Sequence, residues 1–116
     1  MTVRGQGRGG RCQEFALSSG RVIAGWANTV VAAFGTDGTD GPTDAAGALV
    51  DGGTAARAHS AGLDALRALA DNDAYPFFQQ LGDLLLTGPT RTNVNDIYLA
   101  LIGNGSVRRK RARKRP

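Results

Sequence analysis

The run Asn28 to Phe34, NTVVAAF, is short, apolar and rich in β-branched residues, and it stops at Gly35. A run of that length and composition reads as a strand covered on both faces. The segment after it is unlike an ordinary turn. GTDGTDGPTD, from Gly35 to Asp44, places three Thr, three Asp, three Gly and one Pro in ten residues. The fold must therefore bury a strand and present a polar, acidic loop at its end.

The rest of the chain supplies layers for that strand. A helix is expected from about Gly10 to Ile23, weak in its second half because Ser18, Ser19 and Gly20 disfavour helix. A second short strand is expected near Ala48 to Val50. Thr54 is placed to N-cap a short helix that Gly62 ends. Asp64 starts another, with Leu63, Leu66 and Ala70 on one face. Asp71 to Asp73 can cap a third, in which Pro76 falls in the first turn and Gly82 closes the end. DLLLTG then reads as a strand, GPTRTNVN as a loop and DIYLALIG as a final buried strand. The expected fold is α/β, a single mixed-sheet domain with flanking helices. Its boundaries are a flexible N-terminus over residues 1–6, a folded body over 7–103 and a disordered basic tail over 104–116.

Charge follows that division. Of fourteen basic residues, seven lie between Arg108 and Arg115, and Arg4, Arg8 and Arg11 lie at the other end. Residues 12–107 hold four arginines against ten acids, a net of −6. The body is acidic, which argues against a basic nucleic-acid-binding domain, although the tail could make weak contact with nucleic acid or an acidic partner. No run of about 18 apolar residues occurs, so no transmembrane helix is expected. The basic residues of MTVRGQGRGGR precede no apolar segment, unlike a secretory signal. A single cysteine, Cys12, fits a reducing compartment. The expected location is cytoplasmic, with no membrane partner.

Four polar stretches could carry chemistry. In GRGGR, Gly9 and Gly10 let backbone approach a ligand, and a helix start favours an anion. Arg8 and Arg11 add charge, and arginine grips carboxylates and phosphates with paired hydrogen bonds. The plainer reading is a flexible terminus whose arginines face water. In the acidic loop, Asp37, Asp40 and Asp44 with Thr36, Thr39 and Thr43 suit Mg²⁺ or a polyhydroxyl ligand, or else satisfy the turn's own backbone. In GPTRTNVND, Thr90, Thr92, Asn93, Asn95 and Asp96 offer short hydrogen-bonding groups for hydroxyls or phosphate oxygens, or form an Asx-rich loop. ADND, before the third helix of the triplet, reads as helix capping. His59 has no paired ligand at metal spacing, and Cys12 has no neighbouring base; neither is assigned a catalytic part. No GxxxxGK[ST] phosphate loop or EF-hand spacing is present.

Taken in order, GRGGRCQEFAL, GTDGTDGPTDAAGALVDG, ADNDAYPFF and GDLLLTGPTRTNVNDIYLALIG resemble the C-terminal (MOFRL) domain of type 2 glycerate kinases, often labelled hydroxypyruvate reductase. The resemblance covers roughly Gly7 to Gly103. It implies the C-terminal half of a two-domain kinase that uses ATP, with Mg²⁺, to phosphorylate the 2-hydroxyl of D-glycerate. The active site would lie in a cleft against a larger, Rossmann-like N-terminal domain. By the same resemblance Arg11 is the catalytic arginine, and Gly9, Gly10, Asp37, Asp40, Asp44, Thr90, Thr92 and Asn93 line the substrate site.

Two residues depart from the family pattern: Cys12 stands where Asn is usual, and Arg91 where Gly is usual. The N-terminal domain is not within these 116 residues. A chain of this kind would be inactive alone and would need that domain as its partner. A truncated or split reading frame would account for its absence. The alternative is a non-catalytic binding module or relic fragment that acts through its basic tail.

Overall fold

The structure, a computed structural model, describes residues 5–90 and 95–103. The elements run α1 (Arg11–Val22), β1 (Thr29–Gly35), β2 (Gly47–Asp51), α2 (Thr54–Ser60), α3 (Ala65–Ala70), α4 (Ala74–Leu81), β3 (Leu84–Leu85) and β4 (Asp96–Ile102). The α/β class and the element order are as the sequence predicts. The four strands form one sheet in the order β3-β2-β1-β4. Every pairing among the described residues is antiparallel, not mixed as expected. Parallel neighbours need a crossover that returns the chain to the same end of the sheet. Here β1 and β2 pair through the polar loop alone, and α2 to α4 bring the chain back to β2 in the opposite sense.

The core lies on one face of this sheet. Alternate residues of β1 and β2 face the helices, so Val31 sits opposite Val50 and Ala33 opposite Ala48. Ala16 and Leu17 from α1, Ala58 from α2 and Ala74, Phe77 and Phe78 from α4 complete the cluster. Gly20 explains why α1 persists through Ser18 and Ser19. A β-carbon at Gly20 would sit 3.2 Å from Val50 Cγ1, so the small residue lets the helix lie close against β2. Packing of the buried face outweighs the weak local propensity.

Several local expectations are corrected. Gly53, not Thr54, is the N-cap of α2. Thr54 is buried, and its Oγ1 accepts from Asp51 N–H at 2.9 Å, tying the helix back to the end of β2. Asp64 does cap α3, accepting from Arg67 N–H. However, α3 turns Ala65, Ala68 and Leu69 towards the core, with Leu63 just before it packed there too, and leaves Leu66 60% exposed, so Leu66 does not share a buried face with Leu63. DLLLTG yields only a two-residue strand.

The largest departures concern β1 and β4. β1 alternates buried with half-buried residues because helices cover one face only. β4, expected to be buried, is an edge strand, and its residues from Ile97 to Ile102 are all exposed.

Candidate functional site

The start of α1, the acidic loop, residues 87–90 and the start of β4 meet at one end of the sheet. Gly35, at the end of β1, is opposite Asp96, at the start of β4. A β-carbon at Gly35 would lie 3.3 Å from both Asp37 Oδ1 and Asp96 Oδ1, so these two carboxylates flank the same backbone position. Arg11 Nε donates to Asp96 Oδ2 in an ion pair, while 61% of the arginine side chain stays exposed. That hydrogen bond and the charge of Asp96 raise the Arg11 pKa further, and the guanidinium is permanently cationic. One turn along, Phe15 stacks on Tyr98 with ring centroids 4.4 Å apart. Two contacts thus lash α1 to the edge strand and aim Arg11 along the sheet end.

The three loop aspartates have separate tasks. Asp40 is 3% exposed and caps α1 from outside the helix, Oδ1 accepting from Cys12 N–H at 3.0 Å and Oδ2 from Gln13 N–H at 2.7 Å. The anion at this helix start is therefore a side chain of the protein itself. Gly10 makes room for it, since a β-carbon there would collide with the Asp40 carboxylate. Asp44 is exposed and accepts from Tyr75 Oη at 2.6 Å. The bond to Asp44 raises the Tyr75 pKa, and Arg8 lies 4.5 Å above the same ring. Asp37 Oδ1 accepts from Thr39 N–H at 3.0 Å in a local Asx turn.

Across the rim, Thr90 N–H donates to Asp37 O at 3.1 Å and its hydroxyl donates to Thr36 O. Thr90 thus joins the acidic loop. Thr92, Asn93 and Arg91 lie outside the described residues, as does the basic run over 108–116. Gly9 and Gly10 are buried under the loop, with Gly9 O close to Gly41.

ADND is not helix capping: Asp73 makes no side-chain cap to α4. Asn72 and Asp73 instead fasten the glycine-rich segment, accepting from Gly5 N–H at 2.8 Å and Arg8 N–H at 2.9 Å. Asn72 Nδ2 also donates to Glu14 at 2.7 Å. His59 is exposed. Cys12 is fully buried, and burial, followed by the charge of Asp40, pushes its thiol up to about 12.

Gln13 and Tyr75 belong to this arrangement although the sequence patterns assign them no role. Asp96 is expected only as a hydrogen-bonding group of its loop, not as the partner of Arg11. Gln13 is fully buried, with Nε2 donating to Asp40 O and Thr43 Oγ1. A polar residue beside the apolar positions of α1 is its only sequence signal. A hollow of about 530 Å³ between α1, α2 and α3, floored by Leu17, Ala58 and Phe77, contains none of these residues.

The chain matches the MOFRL family model over residues 1–96. It is 50% identical over 100 residues to the D-glycerate 2-kinase of Thermotoga maritima, covering 86% of this chain and 24% of that protein. The glycerate kinase of Homo sapiens is 44% identical over 109 residues, covering 88% of this chain and 21% of that protein. The crystal structure of the Thermotoga maritima glycerate kinase superposes with a TM-score of 0.87 at 48% identity, over 89% of this chain and 25% of that one. The chain thus spans about a quarter of the length of the curated relatives it matches. The strand order, the acidic loop and the arginine at the start of α1 are carried by a sequence that belongs to the MOFRL family.

Proposed function

We propose that this chain forms one wall of a glycerate 2-kinase active site, in which ATP phosphorylates the 2-hydroxyl of D-glycerate to give 2-phosphoglycerate. The observation that carries the reading is Arg11, a largely exposed cation held by Asp96 at the sheet end where Asp37 and Thr90 also converge. Membership of the family and two relatives named for glycerate kinase activity supply the substrate class.

On this reading Arg11 is the catalytic residue. Phosphoryl transfer needs positioning and charge stabilisation more than covalent help from the protein, and a forked cation serves both. Arg11 would hold the glycerate carboxylate or the charge on the transferring phosphoryl group. Thr90, with Thr92 and Asn93, would orient hydroxyl and phosphate oxygens. Asp40 would act at one remove, fixing α1 and hence Arg11, and Gly9 and Gly10 would admit the loop to the helix start. Asp44 would sit at the outer rim, with Arg8 and Tyr75.

Among the described residues no group of three or more His, Cys, Asp or Glu could hold a metal. The donor set instead suits Mg²⁺ that arrives with nucleotide phosphates and takes one or two protein carboxylates. Asp37 fits that part, because among the described residues its carboxylate is engaged only by a local turn. The metal would supply charge neutralisation on the phosphates. Location in the cytoplasm belongs to the same proposal; no helix among the described residues is long and apolar enough to cross a membrane.

Half a cleft should give essentially no turnover, since the rate depends on holding both reactants in line. The test is a coupled ADP-release assay with D-glycerate, ATP and Mg²⁺. It would use this chain alone and this chain with a polypeptide supplying the rest of the Thermotoga maritima relative. Turnover only in the second case, lost with Arg11→Ala, is expected. Turnover that survives Arg11→Ala would remove the arginine from the reaction, and its absence from both would overturn the kinase reading.

A further inference from the structure

The side of the sheet away from the helices is apolar over most of its extent. By strand register it carries Leu85 from β3, Gly47 and Leu49 from β2, Val30, Ala32 and Phe34 from β1, and Ile97, Leu99 and Leu101 from β4, with Asp51 at the end of β2, opposite Val30, as its one charged residue. Leu99 is 48% exposed and Leu101 67%. An antiparallel sheet with one wet face alternates apolar with polar residues. β4 does not alternate: after Asp96 every residue is apolar except the Tyr98 hydroxyl. Exposed apolar patches of this continuity mark contact surfaces.

We infer that this open sheet face is the docking surface for the polypeptide that makes up the other three quarters of the glycerate kinase relatives. That polypeptide would lay an apolar layer across β1 and β4. The inference rests on the kinase reading, in which the second wall of the site belongs to that polypeptide.

Two observations select this occupant. First, the same fold in the Thermotoga maritima crystal structure is only 25% of its chain, so three quarters of that polypeptide lie outside this fold. Second, the open face runs directly into the candidate site. A groove of about 430 Å³ is lined both by Phe34 and Leu85 of the open face and by Thr36 and Thr90 of the site. A layer seated on Phe34 and Leu85 therefore ends where a second wall is needed.

The test pairs the full chain with the remaining three quarters of the Thermotoga maritima D-glycerate 2-kinase, co-produced as a separate polypeptide. Complex formation is read by sedimentation velocity. The face is altered by Leu99→Lys and Leu101→Lys together, both exposed on β4 in the free chain. Leu66→Lys on α3, 60% exposed and on the helical side, is the control. Thermal melting of each free chain checks that the fold is kept.

A one-to-one complex is expected, weakened about a hundredfold or more by the double substitution and unchanged by Leu66→Lys. No complex with the unaltered chain would overturn the inference, as would one that the double substitution leaves intact. A dimer of the free chain that Leu99→Lys and Leu101→Lys dissolve would assign the face to a second copy instead. A complex sensitive to these lysines but without turnover would leave this inference standing and sink the kinase reading. Turnover indifferent to them would do the reverse.

Discussion

Asp40→Ala removes the carboxylate that caps α1 across 27 and 28 residues of sequence. A lost helix cap costs typically about 1 kcal/mol, and a partly buried anion at a helix start contributes up to about 2 kcal/mol. Two backbone N–H groups at the fully buried Cys12 and Gln13 would also lose their acceptor, at about 1–3 kcal/mol for an orphaned buried donor. These figures describe overlapping parts of the same bonds, so the net loss is about 3 kcal/mol, not their sum. For a domain of this size that lowers the melting temperature by roughly 10–20 °C. The assay is thermal unfolding followed by circular dichroism, with Asp37→Ala as comparison. Among the described residues the Asp37 carboxylate makes only a local turn bond, and its loss should cost about 0.5 kcal/mol. Asp40→Asn, which keeps the volume and one acceptor, should fall between the two and covers the case in which the alanine variant does not fold. If Asp40→Ala melts no lower than Asp37→Ala, the capping argument is wrong and Asp40 belongs among ligand-binding groups.

Tyr75→Phe keeps the ring under Arg8 but removes the donor to Asp44; urea unfolding should show a loss of about 1 kcal/mol. Asp44→Asn should cost a similar amount, and the double variant little more than either. The Cys12 thiol is pushed up to about 12 from an ordinary 9.0 by burial. The unfolded chain sheds that proton from about pH 9 and the folded chain does not, so stability should fall as pH rises from about 9 towards 12. Tyr75 and Tyr98 are raised in the same sense, so Cys12→Ala should flatten only the first part of that fall in melting temperature. At neutral pH a thiol reagent should leave Cys12 untouched until the chain unfolds.

How much is legible in the sequence differs from one element to the next. α1 follows from a helix-compatible run after the glycines, β1 and β2 from short apolar runs, and the helix ends at Gly62 and Gly82 from glycines that adopt positive φ. These signals are local, set by propensity, alternation and turn geometry within a few residues. Thr54 misleads because a good capping residue meets a stronger use at the end of β2. Asp71 to Asp73 mislead for the same reason: the donors that Asn72 and Asp73 satisfy belong to the glycine-rich segment, 65 to 67 residues away.

By itself the sequence determined where polar chemistry would lie, in GRGGR, GTDGTDGPTD and GPTRTNVND, because such glycine, hydroxyl and carboxylate clusters cannot serve a core. It also determined that β1 and β4 are made to be buried. Only the tertiary structure decided how the three aspartates divide. Spacing along a loop does not say which carboxylate turns inward to the start of α1, which meets Tyr75 and which remains at the rim. The tertiary structure also decided that β4 is an edge strand with its apolar face uncovered, since composition records a side chain's preference for burial but not what is present to bury it.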